Sequence, residues 1–422
     1  MAEISISKYS LNIEREPLFR PFHFKGGFFT EKWLVITKLE TSAGLQATAV
    51  GGMAILWSDP DVFSCHSEIG GNIVMAALAE RAARLVQGRS FSNPIDLIES
   101  ILPELYAYGK KVTGNNNLRK TFVLNSLISL DSALWKLFAC ENNISKFHDL
   151  IPSEYQPAFD FRQEEIAHVP AVAYNYPVEE LQKMVDEGYF FLKVKIGQAG
   201  SPSEMLEKDK NRLAEIHQGL KDYSVSQTES GKVLYYLDAN GRYPDKDTLK
   251  RLLDHADKIG MLDRIALLEE PFSDELKIDV TDMPVVMAAD ESLHSIADVD
   301  ERIDLGYRAI AIKPEGKTLS MALTMGSAAF KRGIPIFVAD SGCVPLLVEW
   351  NKIVAAHLAP FPGLSMGILE SNGAQMYKNW DRLIQDHPCA ETDWIAPRGG
   401  IYHLDADYYD KAGGILLDPG NY

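Results

Sequence analysis

The sequence predicts an α/β barrel that follows an N-terminal α+β region, and three observations support this fold class. The first 150 residues read as strands followed by helices. From about residue 160, short apolar runs alternate with amphipathic helical stretches. In nearly every one of these runs the first polar residue stands at the carboxyl end. Parallel βα units closed into a barrel have this organisation.

The N-terminal region combines alternating strands with apolar helices. Residues 3–14, 32–41 and 45–50 have strand patterns, and an aromatic segment, "RPFHFKGGFF", predicts a loop over 20–29. Helical periodicity then begins near residue 73 and returns in "FVLNSLISLDSALWKLFAC". We therefore expect a first domain over residues 1–150.

Eight apolar runs follow, and most are separated by helical stretches that end in glycine. The runs are "VPAVAYNYP", "FFLKVKIG", "VLYYLDANG", "IALLEEP", "PVVMAADES", "AIAIKP", "PIFVAD" and "GLSMGILES". No glycine fingerprint for dinucleotides or phosphates is present, which favours a closed barrel over an open sheet. We expect the barrel over residues 160–392, with a segment of 393–422 that returns to the first domain.

Composition narrows the class of function. A net charge of −17 and an isoelectric point near 5.1 argue against nucleic-acid binding and against docking on anionic membranes. The four cysteines are widely spaced and form no CxxC pair, and no leader or membrane-length apolar run is present. These features predict a cytoplasmic protein with reduced thiols. A homo-oligomer remains compatible with them.

Two lysines stand inside an apolar strand, in "YFFLKVKIG". Lys193 and Lys195 are two residues apart, so both ammonium groups point to the same face of the strand. Two like charges in apolar surroundings require an anion opposite them. The sequence therefore predicts a cluster of acidic groups facing this strand.

Acidic side chains stand at the ends of the following strands. They are Asp238, Glu269 (or Glu270) and Asp290, followed by Lys313 and Asp340. In a parallel barrel these positions converge at one mouth. Three carboxylates without histidine or cysteine suit Mg²⁺, or Mn²⁺, better than zinc. Each motif alone is compatible with turn or helix-cap chemistry, but their order along successive strands favours a functional site.

Five motifs in order resemble the enolase superfamily. They are "KVK" (193–195), "DAN" (238–240), "EEP" (269–271), "ADES" (289–292) and "IKP" (312–314), and "LISLDSALWKL" (127–137) resembles the helix before the barrel in that family. The similarity is to the mandelate racemase/muconate lactonizing enzyme family, in the branch of muconate cycloisomerases, succinylbenzoate synthases and dipeptide epimerases. It implies a modified TIM barrel, (β/α)7β, with an N-terminal α+β capping domain.

The resemblance also implies a role for each motif residue. Asp238, Glu269 and Asp290 would bind Mg²⁺, with Glu269 favoured over Glu270 and Asp290 over Glu291. Lys195 and Lys313 would be acid/base residues on opposite faces of the α-carbon of a small-molecule carboxylate substrate. Lys193 would hold the substrate carboxylate.

The implied activity is removal of the proton α to a carboxylate through an enediolate intermediate. The expected enzyme is a racemase/epimerase or a cycloisomerase. An elimination lyase, such as a succinylbenzoate synthase-like enzyme or an acid-sugar dehydratase, is the alternative on the same scaffold. A binding barrel without activity is the remaining alternative, and the complete set of lysines and acids argues against it.

Departures from the family pattern narrow the range of possible substrates. The seventh strand ends in Asp340 and has no histidine, which disfavours the mandelate racemase branch. The last strand has Glu370 alone and no Asp-x-Asp pair, which disfavours amino-acid or dipeptide substrates. Phe24 and Trp57 belong to aromatic segments expected to cover the mouth, so they predict contacts either with an apolar substrate moiety or between domains.

Overall fold

The computed structural model describes residues 3–420 and 422 as two β-sheets surrounded by helices. The strands are β1 (Ile4–Phe24), β2 (Gly27–Thr41), β3 (Gln46–Gly52), β4 (Ser90–Phe91), β5 (Glu165–Val169), β6 (Ala171–Val172), β7 (Phe191–Lys195), β8 (Leu234–Asp238), β9 (Ile265–Glu269), β10 (Met287–Ala289), β11 (Ala309–Ile312), β12 (Ile336–Val338), β13 (Gly367–Glu370) and β14 (Ile401–His403). The first four form an antiparallel sheet in the order β3-β2-β1-β4, and the others form the second sheet.

The helices connect these strands and cover both sheets. They are α1 (Ile55–Ser58), α2 (Pro60–Val86), α3 (Pro94–Thr113), α4 (Lys120–Ser126), α5 (Ile128–Glu141), α6 (Phe147–Leu150), α7 (Val178–Asp186), α8 (Pro202–Leu220), α9 (Lys246–Lys258), α10 (Ile296–Asp304), α11 (Pro314–Lys317), α12 (Leu319–Lys331), α13 (Pro345–Ala356), α14 (Gly373–Met376), α15 (Trp380–Gln385) and α16 (Ala406–Asp410). Short 3-10 turns lie at Gln156–Ala158, Leu262–Arg264, Asp393–Ile395 and Ala412–Gly414.

The second sheet closes into a barrel around Pro170. This proline has no N–H to donate, and it divides one strand into β5 and β6. β5 pairs in parallel with β13, whereas β6 pairs in parallel with β7. The same strand therefore joins both ends of the parallel series β7 to β13. Each of the eight predicted apolar runs contains one barrel strand, so the predicted fold class is confirmed.

The barrel interior is filled by alternate residues of the strands, as the two-residue period of a β-strand requires. Phe191, Tyr236, Leu267 and Phe337 belong to one buried interior cluster, together with small residues such as Ala288. The alternate residues of each strand pack outward against the helices. This alternation fixes which side chains reach the mouth.

The N-terminal sheet contains a long hairpin where the sequence predicts a loop. β1 runs to Phe24 and β2 begins at Gly27, so residues 20–29 are mostly paired strand. The turn consists of Lys25 and Gly26, with φ of 50° and 75°. Positive φ at both positions is typical of two-residue hairpin turns. The loop prediction fails because the aromatic residues pair across the hairpin instead of lying in irregular backbone.

Helix α5 joins the N-terminal region to the barrel. Its Trp135 Nε1 donates to Ser320 Oγ over 3.1 Å, and the buried Asp131 accepts from the same hydroxyl. The C-terminal segment contacts both parts of the chain. β14 pairs antiparallel with β5, and Lys136 Nζ of α5 donates to Leu417 O over 2.7 Å.

Within the described residues, no single helix has the length and apolar character needed to cross a membrane. One bent pair, α4 with α5, is long and apolar enough by length and composition alone, with an angle of 49° between the two helices. Nearly all residues of this pair are buried in the protein.

Candidate active site

The register of the barrel places the predicted site residues on its inner face. Lys195 pairs with Asp238, Asp238 with Glu269, and Glu269 with Ala288. Side chains of paired residues on parallel strands point to the same side of the sheet. Since Ala288 belongs to the interior cluster, the three polar side chains also point inward.

The same alternation applies to the remaining strand ends. Asp290 lies two residues after Ala288, and Lys313 lies two residues after the interior Ala311. Glu370 follows the interior Ile368 by two residues. The carboxyl ends of the strands thus carry a ring of inward-facing charged groups, all of them buried. This arrangement is the mouth expected of a parallel barrel.

Three carboxylates lie close enough to share one cation. One oxygen each of Glu269, Asp290 and Glu291 lies within 4.8 Å of the others, and all three residues are buried. Among the residues that the structure describes, Glu269 Oε1 and Glu291 Oε2 have no hydrogen-bond partner, although a buried polar atom normally has one. These oxygens are hard donors without histidine or cysteine among them. The cluster therefore suits a hard divalent cation.

Asp238, the third predicted metal ligand, lies beside this cluster and contacts the two lysines of β7. Its Oδ2 is 2.9 Å from Lys193 Nζ, and it also accepts from Lys195 Nζ. Lys193 Nζ is in turn 2.8 Å from Glu269 Oε2. Asp238 and Glu269 are thus joined through one ammonium group.

Lys193 is the most highly coordinated cation of the mouth. Besides Asp238 and Glu269 it donates to Glu370 Oε2 over 2.8 Å and to the Tyr236 hydroxyl over 3.0 Å. Burial lowers the pKa of this lysine, but the three carboxylates outweigh burial and raise it well above its usual value. The acids that the sequence predicted opposite the β7 lysines are therefore present.

The two predicted acid/base residues lie on different sides of the carboxylate cluster. Lys195 extends from β7 and contacts Asp238 and Asn240 Oδ1, the latter at 3.3 Å. Lys313 follows β11, and its Nζ lies 2.6 Å from Asp290 Oδ2. Both lysines line the same cavity. Two lysines therefore face one space from opposite strands of the barrel.

Burial and neighbouring charges set the ionisation of the acids in different directions. Burial raises the pKa of Glu269 to about 8, although Lys193 acts to lower it. Burial also acts to raise the pKa of Asp290, but Lys313 and Lys317 hold it well below its usual value. Asp238 is likewise held low by its two lysines against the effect of burial.

Glu270, the alternative to Glu269, has a different environment. Its Oε2 accepts from the backbone N–H of Asp290 over 2.7 Å and from Ser292 Oγ over 3.0 Å. Its backbone φ is 38°, a value that residues other than glycine rarely adopt. Glu270 therefore fixes the turn after β10, while Glu269 points into the mouth.

The N-terminal region covers this mouth with aromatic side chains. The Trp57 ring lies 4.2 Å from Lys313 Nζ, and the Phe24 ring lies 5.5 Å from Lys195 Nζ. Cation–π contacts of this kind stabilise ammonium groups at low exposure to water. Phe24 and Trp57, predicted either as substrate contacts or as packing between domains, do pack over the two lysines.

The cavity beneath this cover is lined by both regions of the chain and includes six of the predicted residues. It has about 630 Å³ of space not filled by atoms, including solvent at its opening. The lining residues are Phe22, Phe24, Phe29, Glu31, Lys32, Met53, Ala54, Ile55, Leu56, Trp57, Phe63, Glu68, Asn72, Lys195, Lys313, Asp340, Ser341, Gly342, Glu370, Asn372 and Met376. The N-terminal region and the barrel therefore contribute side chains to the same space.

Asp340 and Glu370, predicted as substrate contacts, also hold the local backbone. Asp340 accepts from the N–H groups of Cys343 and Asn372, at 3.1 and 3.3 Å. Glu370 Oε2 accepts from Asp340 N over 3.0 Å in addition to Lys193. Both side chains reach the cavity, but their oxygens already have donors.

The structure adds three lysines to the site that sequence reasoning missed. Lys317 donates to Asp290 Oδ1 over 3.1 Å, and Lys25 lies 3.3 Å from Glu291 Oε1. Lys32 lies on β2 and reaches the cavity wall. A signal existed for Lys32, which opens the apolar run of β2. Lys25 and Lys317 stand outside strand ends, where the sequence offered none.

Comparisons with known proteins place this geometry among solved structures. No protein-family model matches the sequence. No curated protein matches it either. By structure, a mandelate racemase/muconate lactonizing protein from Herpetosiphon aurantiacus is similar, with 16% identity, TM-score 0.62 and coverage of 95% of this chain and 96% of that one.

Two further structures are similar. A dipeptide epimerase from Cytophaga hutchinsonii, solved with Mg and the dipeptide D-Ala-L-Val, is 18% identical with TM-score 0.61, over 89% of this chain and 88% of that one. A member of the enolase superfamily from Enterococcus faecalis is 16% identical with TM-score 0.60, over 99% and 98%. At such identities the likeness shows the fold. The chain therefore has the fold of the enolase superfamily, as its five ordered motifs predicted.

Proposed function

We propose that this protein is a Mg²⁺-dependent cytoplasmic enzyme that removes the proton α to a carboxylate, in a racemisation, epimerisation or cycloisomerisation. The observation that carries the proposal is the ring of inward-facing groups at the strand ends. It places three acids between two lysines that face one cavity. Substrate-binding dipeptide epimerases share this fold, which supports the same class of reaction.

We assign the metal to Asp238, Glu269 and Asp290, because these three side chains have the inward alternation of successive strands. Glu291 stands one residue out of that alternation, and its Oε1 already accepts from Asn240 Nδ2 over 2.9 Å. When bound, Mg²⁺ would supply positive charge next to the substrate carboxylate, where negative charge develops.

The lysines would carry the proton transfers. Lys195 and Lys313 lie on opposite sides of the cavity, so each can accept or return a proton on one face of an α-carbon placed between them. Lys193 would attract the substrate carboxylate, since its ammonium group is fixed at the base of the mouth. The aromatic cover of Phe24 and Trp57 would exclude water from this space.

Division of the chain into parts follows from these roles. We propose a capping domain over 1–150, a catalytic barrel over 160–392 and a C-terminal segment over 393–422. The first part supplies the cover, and the second supplies all the charged groups of the reaction. Lys25 and Lys32 are cations that the first part adds to the site.

Exchange of the α-proton in D₂O tests the proposal. N-acyl amino acids, dipeptides and sugar acids would first be screened as pure enantiomers with Mg²⁺. We expect both enantiomers of a true substrate to take up deuterium. Lys195→Ala should abolish exchange from one enantiomer and Lys313→Ala from the other, because each base reaches only its own face. The exposed Lys277 provides the control variant Lys277→Ala.

Other outcomes separate the alternatives. If one lysine variant loses all exchange while the other keeps the wild-type preference, the enzyme uses a single base, which overturns racemisation and epimerisation and favours the elimination lyase. Suppose that no compound exchanges its α-proton in the presence of Mg²⁺ or Mn²⁺, and that neither lysine variant differs from the wild type in any reaction measured. Proton abstraction is then not the function.

A further inference from the structure

The cavity contains one lysine whose charge the protein leaves without a close acidic partner. Lys32 is buried, with 1% of its surface exposed, and its Nζ donates to Ser341 O over 2.6 Å. Within residues 3–420 and 422, no carboxylate lies within 4.0 Å of this nitrogen. Lys195 and Lys313 line the same cavity, and each contacts an aspartate. Lys32 thus differs from both.

The acids near Lys32 act on it only at longer range. Burial lowers the pKa of Lys32, and Cys343, Asp340 and Glu315 oppose this effect without forming an ion pair or a hydrogen bond with it. A buried ammonium group normally has a paired charge and several acceptors. Lys32 therefore retains donors that nothing in the cavity wall accepts.

The other acids of the cavity wall are already hydrogen-bonded. Glu31 accepts from Arg15 and from Trp33 Nε1, and Glu68 accepts from the backbone and hydroxyl of Thr30. The unmatched polar atoms of the wall are the N–H of Trp57 and the amide oxygen of Asn72. Together with Lys32, the cavity wall has more unpaired hydrogen-bond donors than unpaired acceptors, which favours an anionic ligand group.

The backbone is shaped to let Lys32 reach this position. A Cβ atom at Gly52 would lie 2.7 Å from Lys32 Cε and 3.1 Å from Leu347 Cδ1. A contact under 3.0 Å requires one atom to move, so a side chain at position 52 would shift the lysine stem from its present path. Gly52 on the neighbouring strand β3 therefore leaves room for the Lys32 stem along the cavity wall.

We propose that Lys32 binds a second carboxylate of the substrate, so that the substrate is a dicarboxylic acid. The inference rests on the proposed function, which places the first carboxylate at Lys193 and the metal. The second carboxylate accepts from Lys32, and the apolar part between the two lies against the Phe and Met side chains of the cavity. Lys32 is a specificity residue and takes no part in proton transfer.

Binding of matched acids tests the inference without any turnover. Calorimetry with Mg²⁺ compares adipate with hexanoate, and the neighbouring chain lengths glutarate with pentanoate and suberate with octanoate. We expect at least one diacid to bind the wild-type protein about tenfold or more tightly than its monoacid. In Lys32→Met this ratio should fall to within about twofold, while binding of the monoacid stays unchanged.

Lys136→Met is the matched control. Lys136 is also a buried lysine of the N-terminal region that donates to backbone carbonyls, of Thr48 and Leu417, but it lies away from the cavity. This variant should keep the wild-type ratio. Gly52→Ala provides a second variant, because the added methyl group displaces Lys32 and should lower the ratio as well.

The remaining results overturn the inference. No preference for any diacid in the wild-type protein does so, even if Lys32→Met fails to fold. An equal loss of monoacid and diacid binding in Lys32→Met shows a structural role instead. Because binding is measured apart from exchange, a diacid preference without α-proton exchange would refute the proposed reaction and leave the Lys32 site in place.

Discussion

The ammonium group of Lys193 on β7 lies 2.8 Å from the carboxylate of Glu370 on β13, which ties together the two strands on either side of the strand that Pro170 divides. Both side chains are buried, and Glu370 also accepts from the backbone of Asp340. Because Glu370 contacts both Lys193 and the backbone of Asp340, the pair connects the charged groups of the site to the loop after β12.

Replacement of Glu370 should destabilise the fold. Glu370→Gln keeps the shape and an acceptor but removes one of the three carboxylates around Lys193, and loss of a hydrogen bond to a charged group costs about 2 kcal/mol. Urea denaturation measures the free energy of unfolding. Glu301→Gln is the control, because it breaks an exposed pair with Lys277 and should cost less than about 1 kcal/mol. Equal costs in the two variants would contradict the prediction.

Metal binding should depend on Asp238 more than on Glu291. We expect Asp238→Asn, Glu269→Gln and Asp290→Asn each to weaken Mn²⁺ binding by about 100-fold or more, measured by electron paramagnetic resonance. Glu291→Gln should weaken it by only about tenfold, the lower end of the effect expected for a residue that orients a ligand. The opposite order for Asp238 and Glu291 would replace the strand-alternation assignment with the cluster of Glu269, Asp290 and Glu291.

Lys25 should control how the hairpin covers the mouth. Its Nζ donates to Trp57 O over 2.8 Å and to Glu291 Oε1 over 3.3 Å. Lys25→Met removes both bonds, so we expect KM to rise about tenfold with kcat changed by less than about threefold. Chymotrypsin should also cleave residues 20–29 faster.

The control for this variant is Lys38→Met on the exposed side of β2. It should leave both KM and the cleavage rate unchanged. A Lys25→Met protein with unchanged KM and a lower melting temperature would show that the contact only holds the two regions together.

Stability should fall between pH 7 and pH 5 through His168. Burial lowers the pKa of His168 from 6.5 to about 4, and its ring contacts Ser371 O and the Tyr189 hydroxyl. At pH 5 the unfolded chain binds a proton at this histidine and the folded protein does not, so the folded state loses about 2 kcal/mol relative to pH 7.

The measurement for His168 compares urea denaturation of the wild type and His168→Gln at the two pH values. The stability difference between the two proteins should shrink by that amount at pH 5. His357, with its pKa lowered by burial to about 4, offers an independent repeat. A difference that stays constant with pH would show that His168 is protonated in the folded protein.

Much of the barrel could be predicted from the sequence, because its strands and their ends are marked by patterns of neighbouring residues. Alternation within a strand placed Lys193 and Lys195 on one face, and the first polar residue of each later run marked a strand end. Asp238, Glu269 and Lys313 follow from the same rule. These residues meet because parallel strands end at one edge, which is a property of the fold class.

The N-terminal residues that cover the site were harder to predict from the sequence, because their positions depend on contacts between distant parts of the chain. Lys32 and Ser341 are 309 residues apart in sequence, and no local pattern fixes how β2 meets the loop after β12. The Lys25 turn was hidden by the aromatic residues around it, which suggested a loop. Lys317 ends helix α11, which has four residues and is too short to give a helical pattern in the sequence.

Closure around Pro170 also has a consequence for the order in which the chain folds. β5 must wait for β13, about 200 residues later, before that side of the barrel is paired. Until then its backbone groups are an open edge, and pairing across long sequence distances is slow. Partly made chains would expose this edge together with the apolar barrel interior. Synthesis rate and chaperone supply, more than final stability, should therefore limit the yield of folded protein.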